Sequence, residues 1–239
     1  MEKIDNNTVP AHVSIIMDGN GRWAKLRNAE RWVGHAEGVN RVRDVLKTAA
    51  KAGVKYLSLY AFSEENWNRS EAEVEALMSL MMKAMLGEID NLDAEGVRFV
   101  VLGNRARLSD NLNRTIDSCM DRTAGNGTIT LIIFLSYSGK WDIMQAARRI
   151  AEEAAADPSF AETIDMDTVN SRLVTAGYPD PDLIIRTSGE TRISNYLLWQ
   201  AAYSEFYFTD TLWPDFGEKE FLQALDNFSK RDRRYGKTK

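Results

Sequence analysis

The sequence predicts an α/β fold, a single domain of about six mostly parallel strands with helices on both faces. Short apolar segments of strand length alternate along the 239 residues with longer amphipathic segments. Turn residues separate the two kinds of segment, and no repeat, low-complexity tract or linker indicates a domain boundary. Parallel strands buried on both faces place binding sites at their carboxyl ends.

Each predicted element follows from a local pattern. The strands are predicted from apolar runs at residues 12–18, 56–62, 97–102, 128–136, 182–187 and 205–208. The helices are predicted from amphipathic spacing at residues 34–52, 71–95, 109–124, 141–156, 167–176 and 218–233. We expect the polar residues 1–10 to be disordered.

Composition limits the function. With 44% hydrophobic residues the chain can bury a full core, and its net charge of −5 offers no general attraction to nucleic acid. The single cysteine, Cys119, excludes a disulfide framework and is typical of a reducing cytoplasm, where we expect the protein to be located. The amino terminus lacks the apolar core of a secretory signal, and the apolar runs are too short to span a bilayer.

The first predicted strand leads directly into a glycine-rich segment. Asp18 is followed by Gly19, Asn20, Gly21 and Arg22. Glycine backbone can approach a phosphate closely and arginine adds charged donors, whereas a carboxylate tolerates phosphate only with a cation such as Mg2+ between them. The segment therefore indicates a magnesium-diphosphate site. An ordinary strand-to-helix turn capped by Asp18 explains it equally well.

Two further residues at the start of the next predicted helix can bind anions. Arg31 and His35 lie near its amino end, where backbone amides favour negative charge. His35 could accept a proton when neutral or bind phosphate when charged. A histidine that only packs or caps is the simpler explanation of this residue alone.

A dense polar segment follows the second strand. Ser63 begins it, and a capping box from Ser70 to Glu73 accounts for part of the polarity. Three of its members have no such explanation, namely Asn66, Trp67 and Arg69. The next helix carries a methionine-rich stripe, which is typical of core but also suits the wall of an apolar channel.

The richest polar cluster comes late in the chain. Arg186 ends a strand, and Arg192 and Ser194 follow in one short segment, so three phosphate donors can converge. Glu205 adds an acid nearby in sequence. A surface salt-bridge network is the alternative, but polar residues packed between apolar strands favour a binding site.

Together, these segments carry a resemblance. Six segments occur in a fixed order along the chain: Asp-Gly-Asn-Gly-Arg-Trp-Ala from residue 18, Gly34-His35, Ser-Glu-Glu-Asn-Trp-Asn-Arg from residue 63, Ile-Arg-Thr-Ser-Gly-Glu from residue 185, Arg-Ile-Ser-Asn from residue 192 and Leu-Trp-Pro-Asp-Phe from residue 212. The chain resembles the cis-prenyltransferases, and among them the bacterial undecaprenyl diphosphate synthases, from about residue 12 to its end.

The resemblance implies a reaction. It is the Mg2+-dependent condensation of isopentenyl diphosphate onto an allylic diphosphate such as farnesyl diphosphate, repeated with cis geometry. The implied product is a long polyprenyl diphosphate such as undecaprenyl diphosphate, the lipid-carrier precursor for cell-wall synthesis. The resemblance also implies a homodimer, an apolar product tunnel walled by the methionine-rich helix, and transient proximity to a membrane for product release.

Roles carry over at matching positions only. Asp18 would handle Mg2+ and the departing diphosphate, Glu205 matches an acid associated with the metal, and Asn66 is implicated in proton removal. The allylic diphosphate would be held by Gly19, Asn20, Gly21, Arg22, Arg31 and His35. Isopentenyl diphosphate would be held by Arg186, Arg192 and Ser194. The same motifs contain four further residues that the resemblance implies are substrate-binding: Trp23, Ser63, Trp67 and Arg69. The tail Arg234-Tyr235-Gly236 resembles an element that reaches the partner subunit's site.

Some positions in two segments depart from the expected pattern. Glu64 stands where bacterial relatives usually carry a small hydroxyl residue, and this adds negative charge beside a diphosphate site. Ser-Tyr-Ser-Gly-Lys-Trp from residue 136 stands where Asn-Tyr-Gly-Gly-Arg-Trp is common. These departures bear on local geometry and rate rather than on the class of reaction.

Two other functions compete with this hypothesis. A non-catalytic accessory subunit is one, although Asp18, Asn66 and Arg186 are all present. A nucleotide-binding enzyme is the other, but the sequence has neither a G-x-x-x-x-G-K-S/T loop nor a G-x-G-x-x-G segment after a strand.

Overall fold

Six strands form one fully parallel sheet. The computed structural model describes residues 9–233 and places the strands in the order β3-β4-β2-β1-β5-β6. They are β1 His12–Ile16, β2 Tyr56–Ser63, β3 Val97–Leu102, β4 Ile129–Tyr137, β5 Leu183–Arg186 and β6 Glu205–Phe208. All six predicted strands are present, and the predicted parallel pairing is confirmed.

Seven α-helices are found in the described residues. They are α1 Asn20–Leu26, α2 Arg31–Ala52, α3 Glu71–Ala94, α4 Asp110–Arg122, α5 Gly139–Ala156, α6 Met166–Asn170 and α7 Glu218–Ser229. None of these helices combines the length and the apolar character that crossing a membrane requires.

Helices cover both faces of the sheet, as predicted. On one face the buried side chains of α2, α3, α4 and α7 pack against the strands, with Leu46, Ile116 and Phe221 among them. On the other face Phe134, Tyr137 and Tyr196 form a second cluster, against which Trp141 of α5 packs. His12 lies inside the sheet, where its ring bonds to Ser58 and to the carbonyl of Pro179, so its role is structural.

The structure corrects some of the predicted boundaries and one predicted cap. β1 ends at Ile16 rather than at residue 18, and the segment after it forms α1, a seven-residue helix too short to show a periodic pattern. α6 ends at Asn170 instead of residue 176. Ser70 caps α3 as predicted, but Glu73 directs its carboxylate to Arg69 instead of completing a capping box.

The ends of the chain lie outside the described residues. The structure begins at Val9, which packs against the core, and Pro10 is buried. The expectation for residues 1–8 and the resemblance carried by Arg234-Tyr235-Gly236 therefore fall outside this description.

Candidate active site

The site lies at the point in the sheet where the order of the strands reverses. From β1 the chain moves to β2 on one side, and β5 lies on the other side of β1. A crevice forms at the carboxyl ends of the two strands at such a point. Ile16 of β1 pairs with Arg186 of β5, and Asp18 follows two residues later. This topology brings Asp18 and Arg186 together although they are far apart in sequence.

Asp18 is held by both its backbone and its carboxylate. Its N–H donates to Thr187 Oγ1 at 2.9 Å, and the same hydroxyl donates to the carbonyl of Asp18 at 2.7 Å. Arg186 Nη2 donates to Asp18 Oδ2 at 2.9 Å, and Arg22 lies 3.5 Å from the same oxygen. The carboxylate is thus fixed between two guanidinium groups.

The charge of Asp18 follows from these neighbours. Burial by itself raises the pKa of the carboxyl, but the hydrogen bond and charge of Arg186, and then the charge of Arg22, outweigh burial. The net pKa lies below the usual value. Asp18 is therefore an anion at neutral pH.

Glycines allow α1 and α2 to approach each other here. Gly19 precedes α1 with φ of 107°, and a Cβ at Gly34 would lie 2.1 Å from the carbonyl oxygen of Asn20. A Cβ at Gly38 would lie 2.5 Å from Asn20 Oδ1. Larger residues at these positions would push α2 away from Asn20.

A polar pocket of about 600 Å³ opens beside Asp18. Its basic side chains are Arg22, Lys25, Arg31 and Arg69. Gly19, Asn20, Gly21 and His35 also line it. Glu73 contacts two of the arginines, Arg69 at 2.7 Å and Arg31 at 3.4 Å, and so holds them near each other. The four cations make this pocket suited to a phosphate group.

His35 is neutral in this setting. Burial first, and then the charges of Arg31 and Arg69, lower the pKa of its imidazole to about 4, against an opposing effect of Glu73. Of the two roles left open by the sequence, the structure favours the neutral ring. His35 can therefore donate or accept a hydrogen bond but adds no charge to the pocket.

A turn after β2 positions Asn66. Glu64–Asn68 forms a 3-10 helix in which Asn66 N–H donates to Ser63 Oγ at 3.2 Å. Ser63 N–H in return donates to Asn66 Oδ1 at 3.1 Å, which turns the Nδ2 donors away from the turn. Both residues line the cavity next to Asp18.

Arg186 organises the third part of the site. Its guanidinium is only 5% exposed, and Nη1 donates to the carbonyl of Arg192 at 2.6 Å and to Ser194 Oγ at 2.7 Å. Ser194 adopts a left-handed backbone with φ of 50°. Arg186 thus links the loop after β5 to Asp18.

An apolar cavity of about 690 Å³ extends from Asp18 between α2 and α3. Leu59, Leu131 and Ile133 form its floor on the sheet, and Leu77, Met81 and Met85 of α3 form a wall. The methionine-rich stripe of α3 therefore faces both the core and the cavity. Asp18, Asn20, His35 and Arg69 line both the polar pocket and this cavity, so the two are continuous.

The donor set fits a magnesium ion whose coordination shell a bound diphosphate would complete. Asn20 Oδ1, His35 Nε2 and Arg186 Nε are buried at this junction without a hydrogen-bond partner in the described chain. Asp18 is the one carboxylate among the residues that line the polar pocket. No group of three or more metal-binding side chains occurs within residues 9–233. Mg2+ commonly uses one or two carboxylates with substrate phosphates, which matches this arrangement.

Three of the predicted substrate-binding residues line neither the polar pocket nor the apolar cavity of the described chain. Trp23 donates its indole N–H to Asp215, and Trp67 donates to Ser136, so neither ring lines the pocket or the cavity. The Arg192 side chain is 62% exposed and pairs with Glu190.

The structure separates the two residues predicted to share the metal. Glu205 begins β6 level with Val13, five residues before Asp18 or roughly 16 Å away at strand spacing. It pairs with Arg231 at 2.7 Å. Within one chain Glu205 and Asp18 therefore do not share a metal, because the fold places them at opposite ends of the strands.

Three residues of the site were missed from the sequence. Lys25 lies one turn after Arg22 on α1, a spacing that carries meaning only once the helix is known. Thr187 follows Arg186 directly, and its hydroxyl anchors Asp18. Glu73 was explained as a cap, whereas its carboxylate binds arginines.

The fold and the site together define an α/β protein that holds an anionic head group at the mouth of an apolar chain cavity. The model of the family described as "Putative undecaprenyl diphosphate synthase" matches residues 16–236. The chain belongs to this family, the cis-prenyltransferases, which confirms the resemblance noted in the sequence.

Individual relatives agree with this assignment. An isoprenyl transferase of Porphyromonas gingivalis is 47% identical over 96% of this chain and 91% of its own length. A ditrans,polycis-undecaprenyl-diphosphate synthase, specific for (2E,6E)-farnesyl diphosphate, of Haemophilus influenzae is 46% identical over the whole of both chains. The crystal structure of lavandulyl diphosphate synthase from Lavandula x intermedia with dimethylallyl diphosphate superposes with a TM-score of 0.94, at 36% identity, over 97% of this chain and 100% of its own.

Proposed function

We propose that this enzyme condenses isopentenyl diphosphate units with cis geometry onto farnesyl diphosphate to give a long polyprenyl diphosphate, of the undecaprenyl type. The observation that carries the proposal is the Asp18–Arg186 pair at the junction of a cationic pocket and an apolar cavity. A charged diphosphate fits the first and an isoprenoid chain fits the second. The name of the Haemophilus influenzae relative, which is specific for (2E,6E)-farnesyl diphosphate, supports the proposed allylic substrate.

In this mechanism, Arg22, Lys25, Arg31 and Arg69 hold the allylic diphosphate, and neutral His35 and Asn20 direct hydrogen bonds to it. Asp18 would hold Mg2+, and the ion when bound would supply positive charge for the departing diphosphate. Arg22, Arg31 and Arg69 stabilise the charge that develops on the diphosphate without reorganising, because Asp18 holds Arg22 and Glu73 holds the other two arginines.

We assign isopentenyl diphosphate, the second substrate, to the part of the site formed by Arg186 and Ser194. Arg186 and Ser194 bind isopentenyl diphosphate, and its double bond attacks the allylic carbon in the cavity beside Asn66. A neutral amide is a poor base, and Asn66 Oδ1 already accepts a hydrogen bond. We therefore assign Asn66 to orienting the isopentenyl group during proton loss.

The decisive experiment uses purified protein with farnesyl diphosphate, labelled isopentenyl diphosphate and Mg2+, followed by sizing of the extracted products. We expect a long-chain product from the wild type and a rate reduced by about 10²- to 10³-fold in Asp18→Ala. Asp18→Asn should be equally impaired, because it keeps the shape but not the charge. Chelation of Mg2+ should abolish elongation.

The absence of elongation with every allylic primer would overturn the proposal. Elongation in the absence of divalent metal would show that the reaction does not require Mg2+, and the proposed condensation itself would still stand.

The proposal extends to assembly and location. We propose a homodimer that acts in the cytoplasm and approaches a membrane when the apolar product leaves. Support for a protein interface comes from the edge strand β6, where Phe208 is 38% exposed, and from the 3-10 helix before it, where Tyr203 is 70% exposed. Light scattering on the full chain tests the dimer.

A further inference from the structure

The cavity has a second end, far from Asp18. Along α2 its lining runs from His35 to Lys47, which is roughly 18 Å of helix. Along α3 it runs in the same direction, from Leu77 to Glu95. An extended chain of many isoprene units is several times longer than this space.

Two ion pairs join α2 to α3 at that far end. Arg43 Nε donates to Glu88 Oε2 at 3.1 Å, and its Nη2 contacts the other carboxylate oxygen. Lys47 Nζ lies 3.1 Å from Glu95 Oε1. We call these four residues the α2–α3 clasp. No other carboxylate paired with a base lines the apolar cavity of the described chain beyond its Asp18 end.

The clasp lies at an opening of the cavity. Its members line the cavity, yet the side chains of Arg43, Lys47 and Glu95 are 46%, 47% and 42% exposed. A side chain that meets both the cavity and solvent stands at a boundary between them. The clasp therefore joins the two helices where the cavity meets solvent.

The clasp is the part of this wall that opens most easily. The sheet floor is made of packed side chains such as Phe99 and Leu131, which cannot move without disturbing the core. Ile89, next to Glu88, is buried and anchors the backbone of α3. The exposed ion pairs are weak and screened by salt, so their side chains can separate while the helices stay in place.

We propose that the α2–α3 clasp determines product length, an inference that rests on the proposed function. With the clasp closed, the growing chain must fold within the cavity, and crowding stops further condensation. When the clasp opens, the apolar tail leaves between α2 and α3, and the head group remains at Asp18 for further additions.

The test compares product sizes from farnesyl diphosphate and labelled isopentenyl diphosphate for the wild type, Arg43→Gln, Glu88→Gln and the double variant. We expect each variant to shift the product distribution upward by at least one isoprene unit. The rate of the first condensation, measured in a single turnover, should be unchanged because the clasp does not contact the diphosphate pocket. The exchanged pair Arg43→Glu with Glu88→Arg should restore the wild-type distribution.

Arg122→Gln provides the matched control. Arg122 also pairs with α3, through Asp90 at 2.6 Å, but neither residue lines the cavity. It should give the wild-type distribution. Unchanged or shortened products in the clasp variants, or the same lengthening in Arg122→Gln, would overturn the inference. A wild type that elongates no primer would instead contradict the proposed function.

Discussion

Ser136 donates a hydrogen bond of 2.5 Å to the carboxylate of Glu64. The sequence departs from the expected pattern at both of these positions, so two of the departures are in direct contact. Ser136 also accepts a bond from Trp67 Nε1 at 2.8 Å, and Arg107 pairs with Glu64 at 3.0 Å. The negative charge that the sequence places near the diphosphate site is therefore balanced by Arg107.

Ser136→Ala should lower the free energy of unfolding by about 1–3 kcal/mol, because it leaves the Trp67 N–H and the Glu64 carboxylate without their buried partner. Ser136 has a left-handed backbone with φ of 52°, which glycine tolerates. Ser136→Gly should consequently be less destabilised than Ser136→Ala in urea unfolding. Equal stability of the wild type and Ser136→Ala would refute this account.

Arg186→Lys should reduce kcat/KM by about 10²- to 10³-fold although it retains the positive charge. Lysine cannot reproduce the planar fork that contacts Asp18, Ser194 and the carbonyl of Arg192 together. Steady-state kinetics check this. Arg27→Lys is the control, since Arg27 pairs with Asp215 outside the cavity and should keep full activity.

Gly34→Ala should destabilise the fold by roughly 1–3 kcal/mol, because the new methyl group meets the backbone of Asn20, which cannot move aside freely. Gly87→Ala in α3 is the opposite case. Its Cβ would meet nothing within 4 Å, so the substitution should stabilise by roughly 0.5–1 kcal/mol. Thermal unfolding of both variants would distinguish a packing requirement from a general intolerance of alanine.

Acidification should destabilise the protein through its two histidines. The pKa values of His12 and His35 are lowered from 6.5 to about 4, in each case first by burial. Between these values the unfolded chain binds protons that the folded chain does not, so the free energy of unfolding falls as the pH drops from about 6.5 towards 4. Each histidine contributes at most about 3 kcal/mol. Urea unfolding at several pH values should show a shallower dependence in His12→Gln, and an identical slope would contradict the assignment.

The sequence predicted the six strands because their apolar runs end at turn residues, and it predicted Asp18 and Arg186 because both follow such runs. It could not predict α1, because seven residues are too few to show a helical hydrophobic period. It also could not predict the role of Glu73, because the spacing from Ser70 to Glu73 was explained as a capping box and not as a contact with arginines. The link between Glu64 and Ser136 joins positions 72 residues apart, which no local pattern reveals. The metal role of Glu205 stays a prediction, since a motif match carries no information on which end of a strand a residue occupies, and within one chain Glu205 lies at the opposite end of the strands from Asp18.

The half-buried apolar face of α3 gives the protein an incomplete hydrophobic core. In α3 only Val74 and Ile89 are buried, while Leu77, Met81 and Met85 border the cavity. An isoprenoid chain in that space would remove this surface from water, so its binding should show a negative heat capacity change in calorimetry. The enzyme would then reach its greatest thermal stability with its own lengthening product inside, and release of that product would return it to a less stable state.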